Sequence, residues 1–562
     1  MIDYSHNNQT TNGAKKATTV VMTRLKLNFN TRSLQLAIIA IFFNLNLLTS
    51  NLAYSQVISG TVYEDKNHNQ RFDENEDIGL SNILVSNGKD IVATDKDGTY
   101  SIKVNEGDIV FVIKPSDYTF AQRTNNTPLF YYAHKPAGSV PTLKYETTPP
   151  TPAKPAKVNF PLYYSPSNGR FKFLVFGDPQ PYNDKQLNWY KESIVENLQM
   201  RDSVLFGLSL GDLVGDKLEM LRPYADITSK VGLPWYNVMG NHDMNLDAKE
   251  DEHSDETFEA IFGPTNYSFN YGKAHIIILD DILYPDPRDG KGYWGGFRNE
   301  QMEFLKNDLE RVPKDHLVII AFHIPLFHKN SPKFDQKRKD ELFKLLKPFD
   351  NRLILSAHTH KQQQFYYGKA DNWNGTKELH EFNVGTTCGD WFSGTYDENG
   401  WPFATMRDGT PRGYVFMEID GNQYSADYQV YNKAPEYQFS VFMPKVISKF
   451  HSKARCVVNL FMGGKHSQVT YKIDDKNWHK MNQVEETDIN YYLDVYSWDE
   501  ATIHPFGKRP SNPEVTDHIW AARLPENLSI GEHTITIKTI DDFGKTSVQT
   551  HSFSVQPKNL KD

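Results

Sequence analysis

Five apolar runs in the middle of this chain each stop at side chains able to hold a metal ion. In order these are Asp178 and Gln180 in "GDPQ", Asp212 in "SLGDLVGD", Asn241 and His242 in "GNHD", His323 in "AFHIP", and His358 with His360 in "AHTH". Asn is a poor strand residue and a His-Asp pair is costly to bury, so strands ending here set polar groups at their mouths. One carboxylate placed to bridge, with oxygen and imidazole donors on either side, is what two divalent cations a few ångströms apart require. Taken singly, each group has an ordinary reading. Asp-Pro and Asn-His are common in turns, and "AHTH" alone suits an exposed strand face. Their joint order at the ends of five runs favours a metal centre.

The elements that would position these groups read as an α/β layered domain over residues 166–430. The runs "FKFLVFGD", "SVLFGLSLGD", "AHIIILDD", "HLVIIAFH" and "RLILSAH" have the pattern of doubly buried strands, and "NDKQLNWYKESIVENLQM" and "NEQMEFLKNDLERV" have that of amphipathic helices. In such folds chemistry sits at the strand ends. Residues 56–165 read as a small β-sandwich of short strands broken by Asn-Gly and Asp-Gly turns, followed by a Pro-rich linker, "TTPPTPAKPAK", that marks a boundary near residue 165. Residues 431–562 return to alternating text, including "QVTYKIDD", "YYLDVYSW" and "HTITIKTIDDFGKTSVQTHSFSV", and predict an immunoglobulin-like β-sandwich.

A chain of 562 residues needs more than one core. Its net charge of −9, from 61 basic and 70 acidic residues, argues against a binder of nucleic-acid duplexes but leaves room for a small phosphorylated substrate. Two cysteines, Cys388 and Cys456, allow one disulfide but no thiolate zinc site. Residues 1–55 read as a signal peptide with an N-terminal extension. Basic residues precede "LQLAIIAIFFNLNLL", and Ala53 and Ser55 form a small-x-small cleavage pattern before Gln56. The polar segment ahead of Met22 is unusual for such a leader, which makes Met22 a candidate start of translation. The apolar run is short and broken by Asn44 and Asn46, so no stable membrane span is expected after processing. The expected location is exported: periplasmic, outer-surface or secreted.

The series D-x-Q, GD, GNHD, H and AHTH resembles the calcineurin-like metallophosphoesterase family, whose usual pattern is D-x-H, GD, GNH followed by Asp or Glu, H, and GHxH. The resemblance covers roughly residues 171–428, and the three-part layout is similar to that of family members in Bacteroidetes-type bacteria. It implies a four-layer α/β/β/α sandwich, here flanked by two β-sandwich domains, and a site for two divalent transition metal ions (Mn, Fe or Zn). Carried over, Asp178, Asp212 and His360 would hold the first metal, with Gln180 where a His is usual. Asp212 would bridge, and Asn241, His323 and His358 would hold the second. His242 would serve as proton donor or phosphate-orienting group, with Asp243 fixing its surroundings. Gln180 offers an amide oxygen, a weaker donor than imidazole. Ala357 replaces the Gly before the paired histidines, which matters if the backbone there needs a positive φ.

Two dications so held would clamp a phosphate ester and activate water for in-line attack without a covalent phosphoenzyme. The implied substrate is a small phosphate ester or a phosphorylated glycan, lipid or nucleotide. A surface glycan-binding or adhesion protein with a degenerate phosphoesterase domain is the rival reading, and the oligomeric state stays open. Trp294, Trp391 and Phe392, with Tyr293 and Trp401 in the same Gly-rich loops, are candidate substrate walls. Cys388 fits a small buried thiol. "DKNHNQRFDENE" places Asp65, Asn67, Asn69, Asp73 and Glu76 at positions 1, 3, 5, 9 and 12 of an EF-hand-type loop, with Gln70 in place of the usual Gly. It resembles the calcium loops of bacterial surface β-sandwiches, where calcium would stiffen the module.

Overall fold

The computed structural model describes residues 56–557 except 154, 168, 328–332, 451, 452 and 504. The expected leader, 1–55, lies outside the described residues. Those described belong to one compact unit, Ser55–Asp562. Among them no helix is long and apolar enough to cross a membrane.

Two sheets form the middle of the chain. The first is built from β1 (Arg170–Phe176), β2 (Val204–Leu210), β3 (Trp235–Val238), β10 (Gly413–Asp420) and β11 (Gln423–Val430), in the order β3-β2-β1-β10-β11. The second is built from β4 (Tyr267–Tyr271), β5 (Ala274–Ile278), β6 (Leu317–Ala321), β7 (Asn351–Ser356), β8 (Gln363–Tyr367) and β9 (Leu379–Asn383), in the order β4-β5-β6-β7-β9-β8. Strands β1 to β3 run parallel, as do β5, β6, β7 and β9, so each set delivers its strand ends to one edge. Every residue of "LVIIA" in β6 is buried, as a strand covered on both faces requires.

Aromatic side chains seal the sheets against each other. Phe206 of β2 stacks on Tyr271 of β4 at 4.6 Å, and Tyr236 of β3 on Phe269 at 4.0 Å. Helices cover both outer faces. On the first sheet lie α1 (Asp184–Tyr190), capped by the Asn183 side chain accepting from Gln186 N, and α2 (Leu221–Thr228), whose Tyr224 hydroxyl is 2.7 Å from Ser209 Oγ. After α3 (Glu256–Phe262) come α4 (Asn299–Leu309) and α5 (Gln336–Leu346) on the second sheet. Asp308 of α4 meets His275 of β5 at 2.8 Å, and Phe343 of α5 packs on Tyr367 of β8. The result is the four-layer α/β/β/α sandwich that the motifs implied.

The N-terminal module is a sandwich of a five-stranded and a four-stranded sheet. Its Pro-rich stretch is a connection inside the module rather than a spacer after it. The strand that follows, Phe160–Tyr164, buries Phe160 and Leu162 and pairs in parallel with Gln56–Glu64. The module and the α/β layers share one continuous apolar core. A buried ammonium, Lys135, crosses the junction to Glu256 at 2.5 Å and Glu259 at 2.7 Å.

The C-terminal module has its own core. One sheet runs Phe439–Phe442, Arg455–Leu460, Thr516–Arg523, Asn482–Glu486; the other runs Val446–Ser448, Thr546–Gln556, Gly531–Ile540, Gln468–Ile473, His479–Lys480. That order matches the ABED and GFC sheets of an immunoglobulin-like sandwich. "YYLDVYSW", expected as a strand, is instead helix α6 (Ile489–Asp499). Asp488 caps it by accepting from Tyr491 N, and Tyr491, Val495 and Trp498 bury at helical spacing. This helix opens an insertion that ends at Thr516–Arg523 and turns back towards the α/β layers.

Candidate metal centre

The five strand-end loops converge, and Asp212 lies at their centre. Its Oδ1 accepts from His242 N at 2.9 Å, and its Oδ2 lies 3.2 Å from Gln180 Nε2 and 3.3 Å from His323 Nε2. Asn241 Oδ1 and His358 Nδ1 are each 3.2 Å from the same His323 nitrogen. Ligand atoms of Asp212, His323 and His358 all lie within 4.8 Å of one another, which joins the bridging residue to the expected second-metal set. Asp178 reaches to 3.7 Å from His323 Nδ1 and accepts from His358 N at 3.1 Å. His360 joins from the far side, its Nδ1 lying 3.8 Å from the Cys388 thiol, whose backbone N donates to Asp178 O.

Hydrogen bonds fix which ring atom each histidine offers. His323 Nδ1–H donates to Leu210 O at 2.7 Å and His360 Nδ1–H to Gly389 O at 2.6 Å, so Nε2 is the atom each ring would offer a metal. The loop holding His323 hangs on Asp281, which accepts from His323 N and Ile324 N. Asp178, Gln180, Asp212, His358 and His360 all hold positive φ, a costly backbone state that clusters at functional sites. Ala357 does not, so replacing the usual Gly costs nothing there. Gly240 admits no side chain: a Cβ would lie 2.0 Å from Asp212 N.

The donor set fits divalent cations. Asp178 and Asp212 are buried carboxylates side by side, and buried charge must be paired. Burial pushes Asp178 well above the usual carboxylate range, only partly offset by His323. Burial works the same way on Asp212, but His323, His242 and His358 outweigh it and hold that carboxyl low. Gln180 Oε1 is a buried acceptor with no hydrogen-bond partner, and turning the amide over would point it at a cation. Asp178, Gln180, Asp212, Asn241, His323, His358 and His360 would hold the ions, which on these oxygen and imidazole donors would supply Lewis-acid chemistry.

Beside the ligands, His242 Nδ1 lies 2.7 Å from Asp216 Oδ1, four residues beyond Asp212. Burial opposes charging of this imidazole, but Asp212 and Asp216 prevail and raise it to about 9. Asp216 stands in the same "GDLVGD" stretch as Asp212, where nothing in its spacing marks it as a partner of His242. Asp243, expected to fix the surroundings of His242, holds the backbone of the loops on either side of it. Fully buried, it accepts from Gly240 N at 2.9 Å, Leu213 N at 3.0 Å and Val214 N at 3.0 Å, so it is a positioning residue that ties two ligand loops together.

The aromatic walls divide. Trp391 stacks on His360 at 4.2 Å, with the Arg407 guanidinium 5.4 Å from its ring. Tyr293, not Trp294, meets His358; Trp294 lies under Arg288. Phe392 is buried against Trp189 and forms no substrate wall, while Trp401 donates to Glu192. Both cysteines are buried and unpaired. In the N-terminal loop, Asn67 and Asn69 donate to Asp73 and Asn67 also to Glu76, while Asp65 accepts from Asn69 N and Gln70 N, which brings the five EF-hand-type positions together.

Fold and site define a double-sheet protein whose candidate metal ligands come from the strand ends. Three consecutive family models match: the N terminal of calcineurin-like phosphoesterase over 66–150, calcineurin-like phosphoesterase over 171–362, and the C terminal of calcineurin-like phosphoesterase over 381–546. The chain belongs to the calcineurin-like phosphoesterases, and it is a metal-dependent phosphoric ester hydrolase. Among solved structures, purple acid phosphatase PPD1 from yellow lupin is 13% identical, with 62% of this chain and 67% of that one covered and a TM-score of 0.33. GAP50, the anchor in the inner membrane complex of Plasmodium, is 15% identical (46% and 84% covered, TM-score 0.29). A metallophosphoesterase from Sphaerobacter thermophilus is 14% identical (47% and 90% covered, TM-score 0.21). No curated protein matches the chain.

Proposed function

We propose that this protein is an exported enzyme hydrolysing small phosphate mono- or diesters at a two-metal centre, with water as the nucleophile. The observation that carries the reading is the shared position of Asp212, reached by Gln180, His323 and the His242 backbone from three separate loops. Bound cations of the Mn, Fe or Zn type would neutralise the ester oxygens and lower the pKa of water. Asp216 holds His242 by Nδ1, which leaves Nε2 to hand a proton to the departing oxygen. Trp391 and Tyr293 flank the paired histidines and would line one side of the ester.

Hydrolysis of p-nitrophenyl phosphate and its bis-ester by the chain from Gln56, across Mn, Fe, Zn, Ni and Mg with Asp212→Asn as control, tests this. Metal-dependent turnover that vanishes in the variant supports the reading; none with any metal sinks it. Export predicts a mature N-terminus at Gln56, read by N-terminal sequencing of the protein from its native host.

A calcium ion at Asp65, Asn67, Asn69, Asp73 and Glu76 is part of the same proposal. It expects a rise in melting temperature on adding calcium that is absent in Asp65→Ala.

A further inference from the structure

Gln180 is the candidate ligand whose orientation decides whether it can bind an ion at all. An amide has a donor edge and an acceptor edge, and only the acceptor edge can face a cation. Gln180 Nε2 lies 3.2 Å from Asp212 Oδ2 and 3.3 Å from the Tyr182 hydroxyl, while Oε1 is buried without a hydrogen-bond partner. The Asp212 carboxylate by itself selects the NH2 edge. A cation held by that carboxylate selects the carbonyl, so the amide must turn over and give up its bond to Asp212.

We propose that Tyr182 is a positioning residue whose hydroxyl holds the turned amide, with the Gln180 carbonyl towards the first ion. The inference rests on the metal-centre reading and adds a residue to it. A hydroxyl both accepts and donates, so Tyr182 Oη accepts from Nε2 in one orientation and its O–H donates to Oε1 in the other. Among the described residues the hydroxyl has no other hydrogen-bond partner, which leaves its proton for that carbonyl. A phenol oxygen shares its lone pair with the ring and is a better donor than acceptor, so the exchange favours the turned amide. The ring that carries the hydroxyl is itself well held. Gln180 N donates to Asp212 O at 2.9 Å and Gly215 N to Pro181 O at 3.0 Å, which ties "DPQPY" to "GDLVGD". Tyr182 N donates to Gln186 Oε1 of α1 at 2.7 Å. A Cβ at Gly215 would lie 2.6 Å from three atoms of the Tyr182 ring, so the glycine is the floor on which the ring rests. The His242 ring meets it edge-on, with centroids 5.9 Å apart.

The test measures affinity for Mn and for Zn by isothermal titration calorimetry, with bound ions counted by elemental analysis, in wild type, Tyr182→Phe, Gln180→Glu and the double variant. A carboxylate presents an oxygen whichever way it turns and needs no group to orient it. Tyr182→Phe should therefore weaken binding of one ion by about tenfold or more beside Gln180, the usual cost of losing a group that orients a ligand, and by about threefold or less beside Gln180→Glu. Gly215→Ala, which displaces the ring and keeps the hydroxyl, should reproduce the loss beside Gln180. Each variant without metal should melt at the wild-type temperature, which separates the effect from a fold defect. Two results overturn the inference while the wild type binds metal: no loss of affinity in Tyr182→Phe, or equal losses beside Gln180 and beside Gln180→Glu. A wild-type chain that binds neither ion is the failure of the metal-centre reading itself, and the inference falls with it.

Discussion

In the proposed mechanism Asp212 and His242 divide the work of the centre, and their variants should fail differently. Asp212→Asn keeps the shape but removes the shared charge, so metal content and turnover should fall together, read by elemental analysis beside kcat. His242→Ala leaves every proposed ligand in place. Metal content should hold while kcat drops by about 10² to 10⁴, the usual range for a lost general acid. Asp216→Asn keeps a partner for His242 Nδ1 without the charge, and should lower kcat by less than His242→Ala while KM changes little.

Loops that carry ligands are only as well placed as the elements that hold them. Asp243 ties the "GDLVGD" and "GNHD" loops through three backbone amides, so Asp243→Ala strands three buried donors. A loss of roughly 2–4 kcal/mol is expected in denaturant titration, with weaker metal binding. Glu381 of β9 does similar work for the His323 loop, accepting from Leu326 N at 3.1 Å and Ser356 Oγ at 2.8 Å. Burial raises its carboxyl to about 7, partly offset by Tyr367, Ser356 and the Leu326 amide. The folded state therefore favours the protonated form. Its contribution is fully present below the unfolded value near 4.5 and is lost as pH rises through about 7, a fall of roughly 3 kcal/mol. Glu381→Gln should flatten that part of the stability curve, measured by chemical denaturation from pH 4.5 to 8.

At the scale of the molecule, the cores define the melting units. The N-terminal sandwich and the α/β layers share one core, so they should unfold together in calorimetry; the C-terminal module has its own and should show a separable transition. What couples them includes a buried pair, His518 Nε2 to Asp408 Oδ2 at 3.1 Å, with His518 Nδ1 on Asn459. Burial opposes charging of His518, but Asp408 prevails and raises it, so Asp408→Ala removes the group that favours its proton and takes the buried partner from Nε2. A cost of about 1–3 kcal/mol, that of a buried polar group left without its partner, should bring the C-terminal transition to lower temperature.

The candidate ligand set was legible because it is local: polar residues stopping apolar runs are visible one strand at a time, and their order carried the family. Helix α6 is legible in the spacing of Tyr491, Val495 and Trp498 and in the cap at Asp488, but its aromatic composition speaks for a strand. The return of Phe160–Tyr164 to the N-terminal sheet was hidden by the prolines before it. Which aromatic rings face the site was decided only by packing. Trp391 and Phe392 are adjacent and both hold positive φ, yet one stacks on His360 and the other is buried. The grip of Glu514 on Lys361, 153 residues away, left no mark in the sequence, because a single ion pair has no periodicity and only the folded insertion brings its partners together.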